Sequence, residues 1–373
     1  MLYHFLYPLE EFFGALRVFQ FITFRAAGAA ATAILLTFLV APPIIRVLRS
    51  RKVGQIIRAD GPTSHQSKRG TPTMGGLIVL LCTFVPTILW ARLDNPYVIV
   101  AMIATLWTGA IGFLDDYLKI VQGKPRGLVA KYKLIGQMIF GTVLGVFLLQ
   151  LPLAPDLPAN TTTLPFFKWV LVGLWPPLYV GFIALVTTGS SNMVNLTDGL
   201  DGLAAGLSVI AALTFAIFAY IIGRTDTSSY LNIFYLVGSG ELTVYCLALM
   251  GACLGFLWFN TYPAEVFMGD TGSLAIGGAL GTVAILLKSE FLLLIICGVF
   301  VAEAASVVLQ TGMFKYRKTR YGVEYAREHR VFRMAPLHHH FEKKGWAEPK
   351  VVIRFYILGI FCALLALATL KLR

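Results

Sequence analysis

The hydrophobic positions of this chain come in long continuous runs, with no period-two alternation. A bilayer core about 30 Å thick is spanned by about 20 apolar residues coiled as a helix. Lipid offers no partners to an open backbone, so continuous runs of that length predict helices, not barrel strands. Ten segments are read, at about 23–47, 74–91, 97–114, 133–150, 169–188, 203–223, 241–258, 272–288, 290–314 and 353–370. Ahead of them, residues 9–20 (Leu-Glu-Glu-Phe-Phe-Gly-Ala-Leu-Arg-Val-Phe-Gln) predict a short amphipathic helix in the interface. The sequence shows no internal repeat and no separate soluble domain. The expected fold is an all-α polytopic membrane protein with ten transmembrane helices in one domain spanning residues 1–373, with 1–21 interfacial and 315–352 a long polar loop.

The polar loops then fix sides. The runs from Arg46 to Arg69, Lys119 to Lys133 and Lys315 to Arg354 contain 7, 5 and 11 Lys or Arg, which is 23 of the 31 in the chain. With ten helices, all three runs fall on one face. Basic loops stay in the cytoplasm, so that face is cytoplasmic and both termini lie outside.

Composition agrees. The chain of 373 residues is 57% hydrophobic and only 13% charged, with mean hydropathy +0.74, whereas soluble domains carry about 25% charged residues. The net charge of +12 would suggest nucleic acid in a soluble protein. Here the positive-inside rule absorbs much of it, so no nucleic-acid partner is expected; membrane lipids and an anionic substrate are. The five cysteines all lie in apolar runs and read as small buried hydrophobes. Residues 1–21 lack a basic n-region and contain Glu10 and Glu11, so no cleavable signal peptide is expected.

Four polar motifs fall on the basic face: Asp115-Asp116 at the end of the third segment, Asn192 to Gly202 with Asp198 and Asp201, Phe267 to Ser273 with Asp270, and Ala335-Pro336-Leu337-His338-His339-His340-Phe341-Glu342. More than thirty residues follow the histidines, so they are not a terminal tag. Any single aspartate is explained by helix capping, and Asp201 and Asp270 do precede helices. Three aspartate motifs and a histidine triplet on one face call for a shared reason.

Two carboxylates about 4 Å apart repel by about 4 kcal/mol at an effective dielectric near 20. A lysine or a divalent metal relieves this. Oxygen ligands without cysteine favour Mg²⁺, bound by one or two carboxylates plus substrate phosphates. Lys68, Arg69, Lys119, Lys131 and Lys133 are candidates for an anion site, with Lys68 and Lys131 chosen among them. Glu303, mid-segment, is costly in lipid and is expected to be protonated or bonded to a neighbouring helix. Pro176-Pro177 is expected to kink the fifth helix and open a groove for a lipid tail.

On Lys68–Gly76, Gly112–Tyr117, Asn195–Gly202, Phe267–Ser273, Met334–Glu342 and Gly345-Trp346, the chain resembles the polyprenyl-phosphate N-acetylhexosamine 1-phosphate transferases over nearly its whole length. The Ala-Pro-Leu-His-His-His block points to their phospho-N-acetylmuramoyl-pentapeptide-transferase branch. One stretch departs: Thr319 to Arg330 looks like an insertion into the basic link that precedes Phe332-Arg333-Met334. The resemblance implies phosphoryl transfer from UDP-MurNAc-pentapeptide to undecaprenyl phosphate, giving lipid I and UMP, at a Mg²⁺-dependent site on the cytoplasmic face. It implies Asp270 as the Mg²⁺ ligand and Asp115, Asp116 and His338 as catalytic residues, one aspartate deprotonating or orienting the lipid phosphate. It places His339 near phosphate, and Asp198, Asp201, Asn260 and Gln310 in a nucleoside pocket with Phe267 near the uracil. It adds Asn195 and Lys131 as nucleotide contacts. It also implies a homodimer in the bacterial cytoplasmic (inner) membrane, with both termini periplasmic.

Two rivals are distinguishable. A transporter of anionic lipid places polar residues near the bilayer midplane at broken helices, where only Glu303 qualifies. A sister transferase would take UDP-GlcNAc in place of the pentapeptide donor.

Overall fold

The computed structural model describes residues 1–50, 70–124, 127–153, 157–167 and 170–372. The described chain is mostly helical, in fifteen α-helices. Those of the N-terminal half are α1 (Leu2–Leu6), α2 (Ile22–Ser50), α3 (Gly76–Trp90), α4 (Pro96–Ile120), α5 (Ala130–Gln150), α6 (Pro176–Thr197) and α7 (Leu203–Ile222). The remainder are α8 (Thr225–Leu231), α9 (Leu242–Asn260), α10 (Gly269–Leu286), α11 (Glu290–Ile296), α12 (Gly298–Tyr321), α13 (Val323–Glu328), α14 (Leu337–Glu342) and α15 (Glu348–Leu372). Among the described residues seven helices are long and apolar enough to cross a membrane, or eight if α11 and α12 count as one bent span. The protein is a polytopic membrane protein.

A helix stands at each of the ten segments read from the hydrophobic runs, with informative differences. The segment read at 290–314 is two helices meeting at 90°. The segment read at 74–91 is a helix of only 15 residues. The segment read at 169–188 starts later, because Pro176 and Pro177 occupy the first turn of α6. Proline there has no intrahelical N–H bond to lose, so the pair starts the helix and does not kink it. Residues before it form β2 (Leu171–Gly173), paired antiparallel with β1 (Thr161–Thr163). In place of one amphipathic helix at 9–20, the chain makes two short 3₁₀ turns, Tyr7–Glu11 and Gly14–Gln20. The stretch 315–352 is not a loop: α12 runs on to Tyr321, and α13, α14 and the start of α15 follow.

α10 is the axis. Every residue from Thr271 to Leu286 is buried, against α3, α4, α6 and α7. In lipid, neighbouring helices gain no hydrophobic drive from each other, so close backbone approach by small residues does the work. α10 supplies Gly272, Gly277, Gly278 and Gly281. One tight crossing is at Gly112 of α4, where an added Cβ would sit 2.1 Å from the Asp270 carbonyl oxygen. That contact brings the C-terminal turn of α4 onto the N-terminus of α10.

The other end of the bundle is locked by charge. Arg25 of α2 is fully buried and donates to both Glu241 oxygens, at 2.6 and 2.5 Å. Arg25 also donates to the Trp90 carbonyl, and Glu241 accepts from the Arg92 amide. The pair joins α2, α3 and the start of α9. Removing one partner of a buried pair leaves an uncompensated charge and costs about 3–5 kcal/mol. Glu241→Gln is therefore expected to lower detergent-unfolding stability by that order, and Arg25→Met with Glu241→Leu to recover most of it, read by thermal unfolding of the purified protein.

Candidate functional site

The C-terminal turn of α4 presents Asp115 and Asp116, both buried. The two neighbours face different partners. Asp116 accepts from the amides of Asp270 (3.2 Å) and Thr271 (2.9 Å) and from the Thr271 hydroxyl (2.7 Å). It therefore caps α10 from outside, satisfying amides that start a helix without partners and placing a negative charge at the positive end of the dipole. Asp270, which the sequence allowed as a cap, lies inside the first turn and makes no side-chain cap.

Asp115 and Asp270 share cations. Lys133 Nζ lies 2.7 Å from Asp115 Oδ2 and 2.5 Å from Asp270 Oδ2. Lys119 pairs with Asp115 one helical turn away and reaches Asp270 Oδ2 at 3.2 Å. Asp115 also accepts from the Leu128 amide at 2.6 Å. Asp270 Oδ1 accepts from Asn195 Nδ2 at 3.0 Å, and the same amide group donates to Ser273 Oγ. Beneath this layer Gln137 of α5 bonds Ser191 and Asn192 of α6, and Ser191 bonds the Leu274 carbonyl of α10. The floor of the site is thus tied across three helices.

One oxygen from each of Asp115, Asp116 and Asp270 lies within 4.8 Å of the others. The donors are hard oxygens, and two ammonium groups already bridge the gap between Asp115 and Asp270. A hard divalent cation fits the same charge demand. Asp115 and Asp270 are the carboxylates whose present partners are exchangeable side chains; Asp116 is committed to the α10 backbone.

The turn 198–202 joins α6 to α7 beside this cluster. Burial, and then the carboxylates of Asp270, Asp116 and Asp201, push the Asp198 carboxyl up to about 8, while a bond from the Gly269 amide pulls the other way. Asp201 is buried and accepts from the Ala264 amide at 3.0 Å; its own amide donates to Glu348 at the start of α15.

The histidine motif reaches the same turn. It forms α14, and its three histidines are held differently. His338 is buried, its amide donates to Glu303 Oε1 at 3.1 Å, and its Nδ1 lies 3.2 Å from Glu303 Oε2. The expected neighbour of Glu303 is thus α14. On its other side His338 packs on Gly199, where a Cβ would lie 2.3 Å from Nε2; only glycine lets the ring approach the Asp198 turn. His339 pairs with Glu342 at 2.7 Å. His340 accepts the Arg333 amide through Nδ1, and burial, then Lys344 and Arg333, lower its pKa.

The structure brings together Asp115, Asp116, Asp270, Asn195, Asp198, Asp201 and His338 at one end of the bundle. The other residues named from the sequence hold these places. Lys131 is exposed, with its ammonium 4.9 Å from the Tyr132 ring centre; Lys133 and Lys119 take the place between the carboxylates. Asn260 is buried, its oxygen accepting from Gly202 and its amide donating to Val266. Gln310 exchanges two bonds with the Phe332 backbone. Phe267 is half-buried, and its backbone pairs with Pro72 and Gly75. Lys68 lies outside the described residues. Lys119 was legible as the i+4 neighbour of Asp115; Lys133 had no such local signal.

Residues 98–288 match the model of glycosyl transferase family 4. Residues 68–80 match phospho-N-acetylmuramoyl-pentapeptide-transferase signature 1. A phospho-N-acetylmuramoyl-pentapeptide-transferase of Gemmatimonas aurantiaca is 57% identical over 383 aligned positions, covering 100% of both chains. Those of Citrifermentans bemidjiense and Desulfotalea psychrophila are each 50% identical, again over 100% of both chains. With the carboxylate cluster at the junction of α4 and α10 and full-length identity at this level, the chain belongs to the phospho-N-acetylmuramoyl-pentapeptide-transferase family.

Proposed function

We propose that this chain transfers phospho-MurNAc-pentapeptide from UDP-MurNAc-pentapeptide to undecaprenyl phosphate, releasing UMP and forming lipid I in a bacterial cytoplasmic membrane. The observation that carries the reading is the pairing of Asp115 and Asp270 through Lys119 and Lys133 at one end of an apolar bundle. Such a cluster suits two anionic substrates that meet at a membrane surface. The chain is read as crossing the membrane ten times: the seven long apolar helices, the short α3, α6, and α11 with α12 as one broken span. The basic loops place the site on the cytoplasmic face and both termini outside. A homodimer is the assembly proposed.

A phosphoryl oxygen of undecaprenyl phosphate attacks the β-phosphorus of the donor, and the bond from that phosphorus to the oxygen of UMP breaks. Phosphate monoesters have a second pKa near 6 and are already largely dianionic at pH 7. The chain's task is therefore positioning and charge neutralisation. The ammonium groups of Lys119 and Lys133 hold phosphate oxygens. Asp115 orients the attacking phosphate and accepts any proton it still carries. Asn195 fixes the Asp270 carboxylate, and Asp116 fixes the backbone beneath it. Mg²⁺, held by Asp270 with Asp115 beside it, would neutralise the diphosphate of the donor when bound. His338 supports the Asp198 turn, with His339 beside it toward the phosphates. The nucleoside pocket is assigned to the 198–202 turn and the 260–267 segment, with Asp198, Asp201 and Phe267 toward the ligand. Asn260 and Gln310 shape this region through the backbone bonds they already make, and Lys68 and Lys131 serve the approach of the anions.

Removing an electrostatic partner of developing charge typically costs 10²–10³ in rate. Asp270→Asn and Lys133→Met are each expected to lower Mg²⁺-dependent UMP release from UDP-MurNAc-pentapeptide by about that factor, with a much smaller loss in Lys131→Met. Release from UDP-GlcNAc alone would move the protein to the sister branch. Equal losses at Lys131 and Lys133 would contradict the assigned cation pair.

The raised Asp198 carboxyl gives a pH signature. Between its ordinary value of 3.8 and about 8, the folded, metal-free protein holds a proton that the unfolded chain has released. Stability from this group is full below that window, falls as pH rises through it, and levels off above. Thermal unfolding of chelator-treated protein is expected to show this decline, and Asp198→Asn to flatten it.

A further inference from the structure

We infer that the hairpin formed by the end of α12 and α13 is a docking element for anionic phospholipid headgroups on the face that holds the site. The segment is the one the transfer reading leaves unused. Over residues 315–331 it has six Lys or Arg against two Glu, a net charge of +4.

Position comes first. α12 leaves α11 at 90°, so the two cannot both follow the membrane normal. The 24 residues of α12 extend about 36 Å at 1.5 Å per residue, far enough to run out from the bundle. The hairpin's base is fixed beside the site: Gln310 grips the Phe332 backbone, and Arg333 donates to the Lys343 carbonyl just after α14. Its base therefore lies at the same end of the bundle as Asp270.

Surface chemistry comes second. Along α12, Ala302, Ala305, Val308, Gly312 and Tyr316 recur at helical spacing, and all are exposed. Tyr316, which ends this stripe, and Tyr321 at the end of the helix are 52% and 55% exposed. Basic residues flank it: Lys315, Lys318, Arg320 and Arg327 are exposed. An apolar stripe that ends in exposed tyrosines and cations is the composition of a helix end that emerges at a lipid surface.

Rigidity comes third. Tyr325 stacks on His329 with ring centres 3.9 Å apart, and Tyr321 approaches Tyr325 at 4.9 Å. Arg317 donates to the His329 carbonyl, closing the hairpin. A solvated charge run has no need of such staples. The hairpin presents preformed cations, so docking loses less conformational freedom. Each basic residue near an anionic leaflet contributes about 1 kcal/mol, a factor of about 5 in binding.

The test is hydrogen–deuterium exchange of the whole protein in nanodiscs of phosphatidylcholine, against nanodiscs in which phosphatidylglycerol replaces part of it. Amides of 315–331 are expected to exchange about 5-fold or more slowly with phosphatidylglycerol, an effect that raised salt removes. The variant with Lys315, Lys318, Arg320 and Arg327 all changed to Gln is expected to lose that dependence while releasing UMP normally in detergent. Equal exchange in the two lipids, or a lipid effect that survives in the variant, overturns the inference. The exchange needs no turnover, so its outcome stands apart from that of the transfer reading.

Discussion

The bond on which the rest of the site depends is the one from the Asp116 carboxylate to the first amides of α10. A helix whose residues are buried from Thr271 to Leu286 must end somewhere, and its opening amides have no partners of their own. α4 supplies them. The approach is possible because Gly112 lets the α4 backbone touch the Asp270 carbonyl. Once α4 and α10 are fixed in this register, Asp115 and Asp270 are neighbours by geometry, and their repulsion has to be answered by cations. Lys119 and Lys133 answer it here, and in the proposed reaction a Mg²⁺ held by Asp270 would do so.

The same logic divides two adjacent aspartates that look equivalent in sequence. Asp116 faces backbone and Thr271; Asp115 faces ammonium groups. A carboxylate spent on a helix terminus holds the frame, whereas one facing exchangeable cations is available to substrate. Further out, the histidine motif supports the frame through a second contact, with His338 lodged between Glu303 and Gly199. The site is thus a junction of α4, α10, the 198–202 turn and α14, while the opposite end is tied by Arg25 and Glu241.

Much of this was legible in the sequence for physical reasons. Apolar runs as long as a bilayer core can only be helices, so a helix stands at each segment read. Aspartates between apolar helices need partners, and Asp115, Asp116, Asp198, Asp201 and Asp270, read as candidates from their motifs, do gather at one end of the bundle. What stayed hidden depends on long-range geometry. Nothing near Lys133 in sequence says that it, and not Lys131, enters the cluster; that depends on how α5 is rotated. Asn260 and Gln310 carry polar groups suited to a ligand, yet each is engaged by backbone from a distant segment. The break between α11 and α12 is marked only by Cys297 and Gly298, too weak a signal inside an apolar run. Pro176-Pro177 was read as a kink because the hydrophobic run was taken to begin before it.

Amide exchange at Asp270 and Thr271 in Asp116→Ala, compared with Asp115→Ala and the wild type, tests the central claim most directly. Losing a helix cap costs about 0.5–2 kcal/mol, so the account predicts exchange about 2- to 30-fold faster at these two amides in Asp116→Ala, with little change in Asp115→Ala. Unchanged protection in Asp116→Ala would mean that α10 starts without α4, and would contradict the division of labour between the two aspartates.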